Sequence, residues 1–135
     1  MEQIQKSILI VDDEDYIRQS FIDYFEDRHW LVFDTESGES AIELLKNQAC
    51  SAAIVDIRMI GMDGETFIKN ASKKYPDMSF VICTGSPEYK TSEDILRYPN
   101  IANQVFGKPV IDIDKLENTI KEMIGRQNNK DLAIK

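Results

Sequence analysis

The sequence predicts a doubly wound α/β fold: one parallel sheet of five strands, order 2-1-3-4-5, with helices on both faces. Three observations predict it. Short aliphatic, β-branched runs alternate five times with segments of helical spacing, which is the pattern of repeated βαβ units. The runs at 8–11 and 53–55 are apolar without interruption, as strands covered on both faces are. The chain's 135 residues, 42% hydrophobic and 30% charged, suit one soluble domain with a real core. Strands 1 and 3 are the most uniformly apolar, so they take the centre, and right-handed crossovers leave few other orders.

The first strand is 7–11 (SILIV). Ile17, Phe21, Tyr24 and Phe25 then fall at i, i+4, i+7 and i+8, one face of a helix. The second strand is 30–34 (WLVFD), and a helix over 38–47 buries Ala41, Leu44 and Leu45 behind Ser37 as N-cap. The third strand is 51–55, followed by a helix over 64–74 that Asp63 caps and Phe67, Ile68 and Ala71 anchor. The fourth strand, 79–83, leads to a short helix around 92–98. Ser92 caps that helix and Pro99 stops it. The fifth strand, 104–107, precedes a helix over 114–125 carrying Leu116, Ile120, Met123 and Ile124, with Gly125 as its C′ residue. The domain thus spans 1–125, and 126–135 (RQNNKDLAIK) reads as a polar tail or the start of a linker.

The net charge of −8 argues against direct nucleic-acid binding and against an anionic membrane surface, since both need clustered Lys and Arg. No stretch approaches 18 apolar residues, and "MEQIQKS" lacks the apolar region of a signal peptide. Cys50 and Cys83 form no disulfide framework, and Cys83 reads as a small core residue. The expected compartment is the cytoplasm.

In such a sheet, sites form at the carboxyl ends of the strands, near the switch in strand order. Strand 1 ends in Asp12-Asp13, strand 3 in Asp56, strand 4 in Thr84-Gly85 and strand 5 in Lys108-Pro109. Any one of these is ordinary turn chemistry; four strand ends offering complementary groups are not. Two carboxylates about 4 Å apart repel by roughly 4 kcal/mol at an effective dielectric near 20. A hard cation relieves that repulsion, and Mg²⁺ takes one or two carboxylates, waters and phosphate oxygens. An ionised Asp beside Mg²⁺ and an ammonium is a nucleophile for a phosphoryl group, with Thr84 and Lys108 able to neutralise the phosphoryl oxygens.

The chain resembles the receiver domain of bacterial two-component response regulators from about Ile8 to Gly125. The resemblance is carried by "ILIVDDE", "VDIRMIGMDG" (55–64), "ICTG" (82–85) and "FGKP" (106–109), in order and at matching spacing. It implies a flavodoxin-like receiver fold and a signalling switch that catalyses only its own phosphorylation and dephosphorylation. Asp56 would accept the phosphoryl group from a sensor histidine kinase or phosphotransfer protein. Mg²⁺ would be bound by Asp13, Asp56 and the backbone carbonyl of Arg58, with Asp12 acting through metal-bound water. Thr84 would hydrogen-bond the phosphoryl group, Lys108 would pair with it, and the Lys108–Pro109 bond would be cis. A downstream effector domain or protein would read the switch, and a homodimer is compatible with it. The alternative is a degenerate receiver used as a phosphorylation-independent interaction module. A flavodoxin-type FMN binder is disfavoured because "DDED" after strand 1 repels phosphate. A haloacid-dehalogenase-type phosphatase would need Asp-x-Asp.

Three residues depart from the family pattern. Ile60 stands where proline is usual, Val105 where a switch aromatic is usual, and Arg58 brings a long cation to the border of the phosphoryl group. Elsewhere, His29 reads as a turn residue after the first helix, Trp30 and Phe106 as packing residues, and Met59 and Met62 as shields of the acceptor loop.

Overall fold

A computed structural model describes the backbone of residues 5–134 and the side chains of residues 5–127. Residues 1–4 and Lys135 lie outside it, and with them most of the N-terminal stretch and the end of the tail. The elements alternate as β1 (Ser7–Val11), α1 (Asp15–Asp27), β2 (Leu31–Thr35), α2 (Gly38–Asn47), β3 (Ala52–Asp56), α3 (Gly64–Lys74), β4 (Ser79–Thr84), α4 (Glu93–Leu96), β5 (Ile101–Gly107) and α5 (Ile113–Ile134). All strand pairs are parallel, and the order is β2-β1-β3-β4-β5. The three central strands are buried along their whole length, as their unbroken apolar runs require.

Alternation along each strand divides the core in two. Ile8, Ile10, Ala52 and Ile54 meet Phe21 and Phe25 of α1 and Leu116 and Ile120 of α5. Leu9, Val11, Ala53 and Val55 meet Ala41 and Leu45 of α2, and Phe67 and Ile68 of α3. Ser37 and Asp63 cap as read, accepting from the Ser40 and Thr66 amides at 3.1 and 2.8 Å. Trp30 packs edge-on against Phe25 and donates its indole N–H to buried Glu117 at 2.9 Å. His29 adopts φ 68°, the left-handed turn that lets the chain leave α1.

Three boundaries differ from the sequence reading by more than one residue. β5 begins at Ile101, three residues early, because Ile101 and Ala102 are buried while exposed Asn103 and Gln104 interrupt the apolar run on this edge strand. α4 is a single turn, and Ser92 occupies its N-cap position without a side-chain bond. The expected stop at Gly125 is overturned, since α5 runs on to Ile134 and the stretch taken for a tail begins as helix. A glycine inside a helix costs only about 1 kcal/mol relative to alanine, and no proline follows to enforce the end.

Candidate functional site

β1, β3, β4 and β5 deliver their terminal residues to one edge of the sheet. Asp12 follows β1, Asp56 closes β3, Thr84 closes β4, and each is almost fully buried. Asp13 beside them is exposed. The Lys108 amide donates to the Thr84 carbonyl at 2.9 Å, which carries the β4–β5 pairing one residue past β5. The Lys108–Pro109 bond is cis, as the resemblance implied.

Carboxylate oxygens of Asp12, Asp13 and Asp56 lie within 4.8 Å of one another. The Lys108 ammonium sits among the acids, 2.8 Å from Asp12 Oδ2, 3.3 Å from Asp56 Oδ2 and 3.2 Å from Glu14 Oε1. Asp12 also accepts from the Glu14 amide at 2.9 Å, and Asp56 from the Arg58 amide at 3.3 Å. Thr84 Oγ1 accepts from the Ser86 amide at 3.1 Å. The structure therefore brings together Asp12, Asp13, Asp56, Thr84 and Lys108, every side chain that the sequence nominated.

Burial pushes the Asp56 carboxyl up to about 6, and the neighbouring Asp12 charge adds to the rise, while Lys108 opposes it. Burial works against the Lys108 charge, but Asp12, Asp56 and Glu14 outweigh it and hold its pKa above the ordinary lysine value. Glu14 is held below its usual range by the Tyr16 hydroxyl first and by Lys108 next. A single ammonium is shared by three acids. The three aspartates are hard oxygen donors that one lysine does not neutralise, and that donor set fits a Mg²⁺ ion.

A cleft of about 310 Å³ opens over this edge of the sheet, lined by Asp56, Thr84, Lys108, Arg58, Ser86 and Glu88. The Arg58 guanidinium spans its mouth, donating to Ser86 Oγ at 3.1 Å and lying 3.8 Å from Glu88 Oε1. Glu14, Ser86 and Glu88 were not nominated from the sequence. Glu14 was legible only as one more acid in "DDED"; nothing local distinguishes Ser86 or Glu88. Val105 and Phe106 pack into opposite cores, Val105 on the α2–α3 side and Phe106 on the α1–α5 side. Met62 packs against Gly38 of α2, and Ile60 at the tip of the β3–α3 loop is 90% exposed.

A family model described as response regulator receiver domain matches residues 8–121. Among curated proteins, the chain is 28% identical over 124 residues to the sensor kinase CckA of Brucella abortus, covering 90% of this chain and 13% of that protein. It is 30% identical over 133 residues to the hydrogenase transcriptional regulatory protein HoxA of Cupriavidus necator, covering 94% of this chain and 26% of that one. The chain thus spans only a minor part of these relatives' length. Among solved structures, a CheY-like receiver domain protein from Methanospirillum hungatei superposes with a TM-score of 0.79 at 28% identity, covering 94% of this chain and 99% of that one. Among the described residues, no helix is long and apolar enough to cross a membrane.

Proposed function

The chain belongs to the response regulator receiver domain family, and on that premise we propose that it is a phospho-accepting switch whose acceptor is Asp56. The observation that carries this reading is the convergence of three aspartates, Thr84 and Lys108 at four strand ends, with carboxylate oxygens within 4.8 Å of one another.

The Asp56 carboxylate attacks the phosphorus of a phosphohistidine donor on a sensor kinase or phosphotransfer protein. A P–O bond forms, the P–N bond breaks, and the imidazole leaves with its electron pair. With a carboxyl near 6, most Asp56 is ionised at pH 7 and available as nucleophile. Lys108, already 3.3 Å from Asp56, neutralises charge on the transferred group, and Thr84, whose oxygen accepts from the Ser86 amide, donates its O–H to a phosphoryl oxygen. Asp13, Asp56 and the Arg58 carbonyl would hold Mg²⁺, with Asp12 acting through a bound water. The ion would supply charge neutralisation between acceptor and phosphoryl oxygens.

The reader of the switch is a downstream effector domain or protein. Two free cysteines are compatible with a reducing compartment, which supports a cytoplasmic setting for the reaction. Incubation with acetyl phosphate and Mg²⁺ should add one phosphoryl mass to the intact protein, and Asp56→Asn should take up none. Hydroxylamine-sensitive labelling of Asp56→Asn at the wild-type level overturns the assignment.

A further inference from the structure

The β3–α3 loop, residues 57–63, carries Arg58, whose carbonyl the proposed function assigns to the metal. The base of this loop is closed, because the Gly64 amide donates to the Ile57 carbonyl at 2.9 Å. Its tip has no comparable brace of its own. No proline stiffens residues 57–63, Ile60 is 90% exposed, and Gly61 stands at φ +84°. A loop with those residues samples many conformations unless something outside it holds the tip.

The hold comes from α2. Glu39, in the first turn of α2, accepts from the Met62 amide through Oε2 at 3.2 Å, across 23 residues of chain. Two missing side chains make the approach close. A Cβ on Gly61 would stand 2.7 Å from the same Glu39 oxygen, and a Cβ on Gly38 would stand 3.1 Å from Met62 Sδ. Each glycine thus leaves room for the other segment's side chain, so the start of α2 and the loop tip interlock by one hydrogen bond and one apolar contact.

We propose that Glu39 is a positioning residue for the metal site: by holding the Met62 amide it fixes residues 58–62 and so presents the Arg58 carbonyl at constant geometry. The inference rests on the proposed function for its metal. Glu39 touches neither acceptor nor phosphoryl group, so its effect falls on Mg²⁺ affinity and not on the chemical step at saturating Mg²⁺.

The test compares wild type, Glu39→Ala, Glu39→Gln and Glu43→Ala. Glu43 lies one turn further along α2, ion-pairs among the described residues only with Lys46, and controls for loss of a negative charge. Met62 amide exchange is followed by NMR without Mg²⁺, Mg²⁺ affinity by calorimetry, and phosphorylation by acetyl phosphate at limiting and saturating Mg²⁺. Glu39→Ala should speed Met62 exchange and weaken Mg²⁺ binding about threefold to tenfold, the range that the net contribution of one ordinary hydrogen bond accounts for. Saturating Mg²⁺ should restore its phosphorylation rate, Glu39→Gln should retain part of the affinity through its amide oxygen, and Glu43→Ala should match wild type. Unchanged Met62 exchange and Mg²⁺ affinity in Glu39→Ala overturn the proposal, as does an equal loss in Glu43→Ala. Absence of Mg²⁺ binding in wild type overturns the proposed function itself, and the metal-positioning role with it.

Discussion

The Lys108 ammonium donates to Asp12 Oδ2 at 2.8 Å, joining residues 96 positions apart. Both side chains are more than nine-tenths buried, so this ion pair is the internal counter-charge of the acidic edge. Removing one partner of a buried pair leaves the other charge uncompensated. Lys108→Ala should therefore lose about 3 kcal/mol of stability at pH 7 without divalent cation. The loss should shrink at pH 5, where Asp56 takes up a proton. Urea unfolding at the two pH values measures it; an equal loss at both would mean that packing, not charge, is what Lys108 contributes.

Asp56 gives the fold a pH dependence of definite sign. Its folded carboxyl, near 6, lies above the ordinary 3.8, so folding favours the protonated form. The contribution is fully present below about 4 and is lost as pH rises through 6. Relative to Asp56→Asn, wild type should lose stability between pH 4 and 7, on the order of 2 kcal/mol. Mg²⁺ needs the ionised form, so its affinity should rise over the same window. At pH 7 and a hundredfold excess over Kd, Mg²⁺ should add about 2.7 kcal/mol to wild type, and far less to Asp13→Ala. Thermal melts with and without Mg²⁺ check both statements.

Arg58 bridges the two loops that flank the cleft by donating to Ser86 Oγ at 3.1 Å. A guanidinium stays charged at every relevant pH and offers several donors, so Arg58 could keep this bridge beside an added phosphoryl group. There it would narrow the path of a water attacking a phosphorylated Asp56. Arg58→Ala should hydrolyse its aspartyl phosphate roughly threefold faster, a barrier change under 1 kcal/mol. Decay of the phosphorylated intact mass over time gives the rate, and an unchanged rate means that the bridge does not control water access.

Readout of the switch should run through residues 85–104. Val105 is short and stiff at χ1, and Phe106 faces the α1–α5 core, so neither can serve as a switch aromatic on the α4 side. α4 is one turn of helix and buries only Ile95, so the α4 segment opens at small cost. The Thr84 oxygen accepts from the Ser86 amide, so a move of the hydroxyl toward a phosphoryl oxygen would be passed to the start of this segment. Beryllofluoride with Mg²⁺ should change hydrogen-exchange protection in 85–104 more than elsewhere. Unchanged protection there, with a response on another surface, contradicts this route while leaving the acceptor chemistry intact.

The local pattern of apolar and reactive residues determined a great deal. The unbroken apolar runs at 8–11 and 53–55 placed the first and third strands at the sheet centre, and each strand's last residues then had to meet at one edge. Asp12, Asp56, Thr84 and Lys108 were legible for that reason: a parallel sheet aligns strand ends whatever the loops do. The helix reading failed where local preference is weak. Gly125 is a plausible stop and a tolerable interior residue, and the difference of about 1 kcal/mol is too small to decide. Only the tertiary structure decided which acids share Lys108, that Arg58 reaches Ser86, and that Glu39 holds the Met62 amide. Those contacts join positions 96, 28 and 23 residues apart. The physical reason is range: hydrophobic periodicity acts within a few residues of chain, whereas hydrogen bonds and burial-driven pKa shifts depend on distances that exist only once the loops have packed.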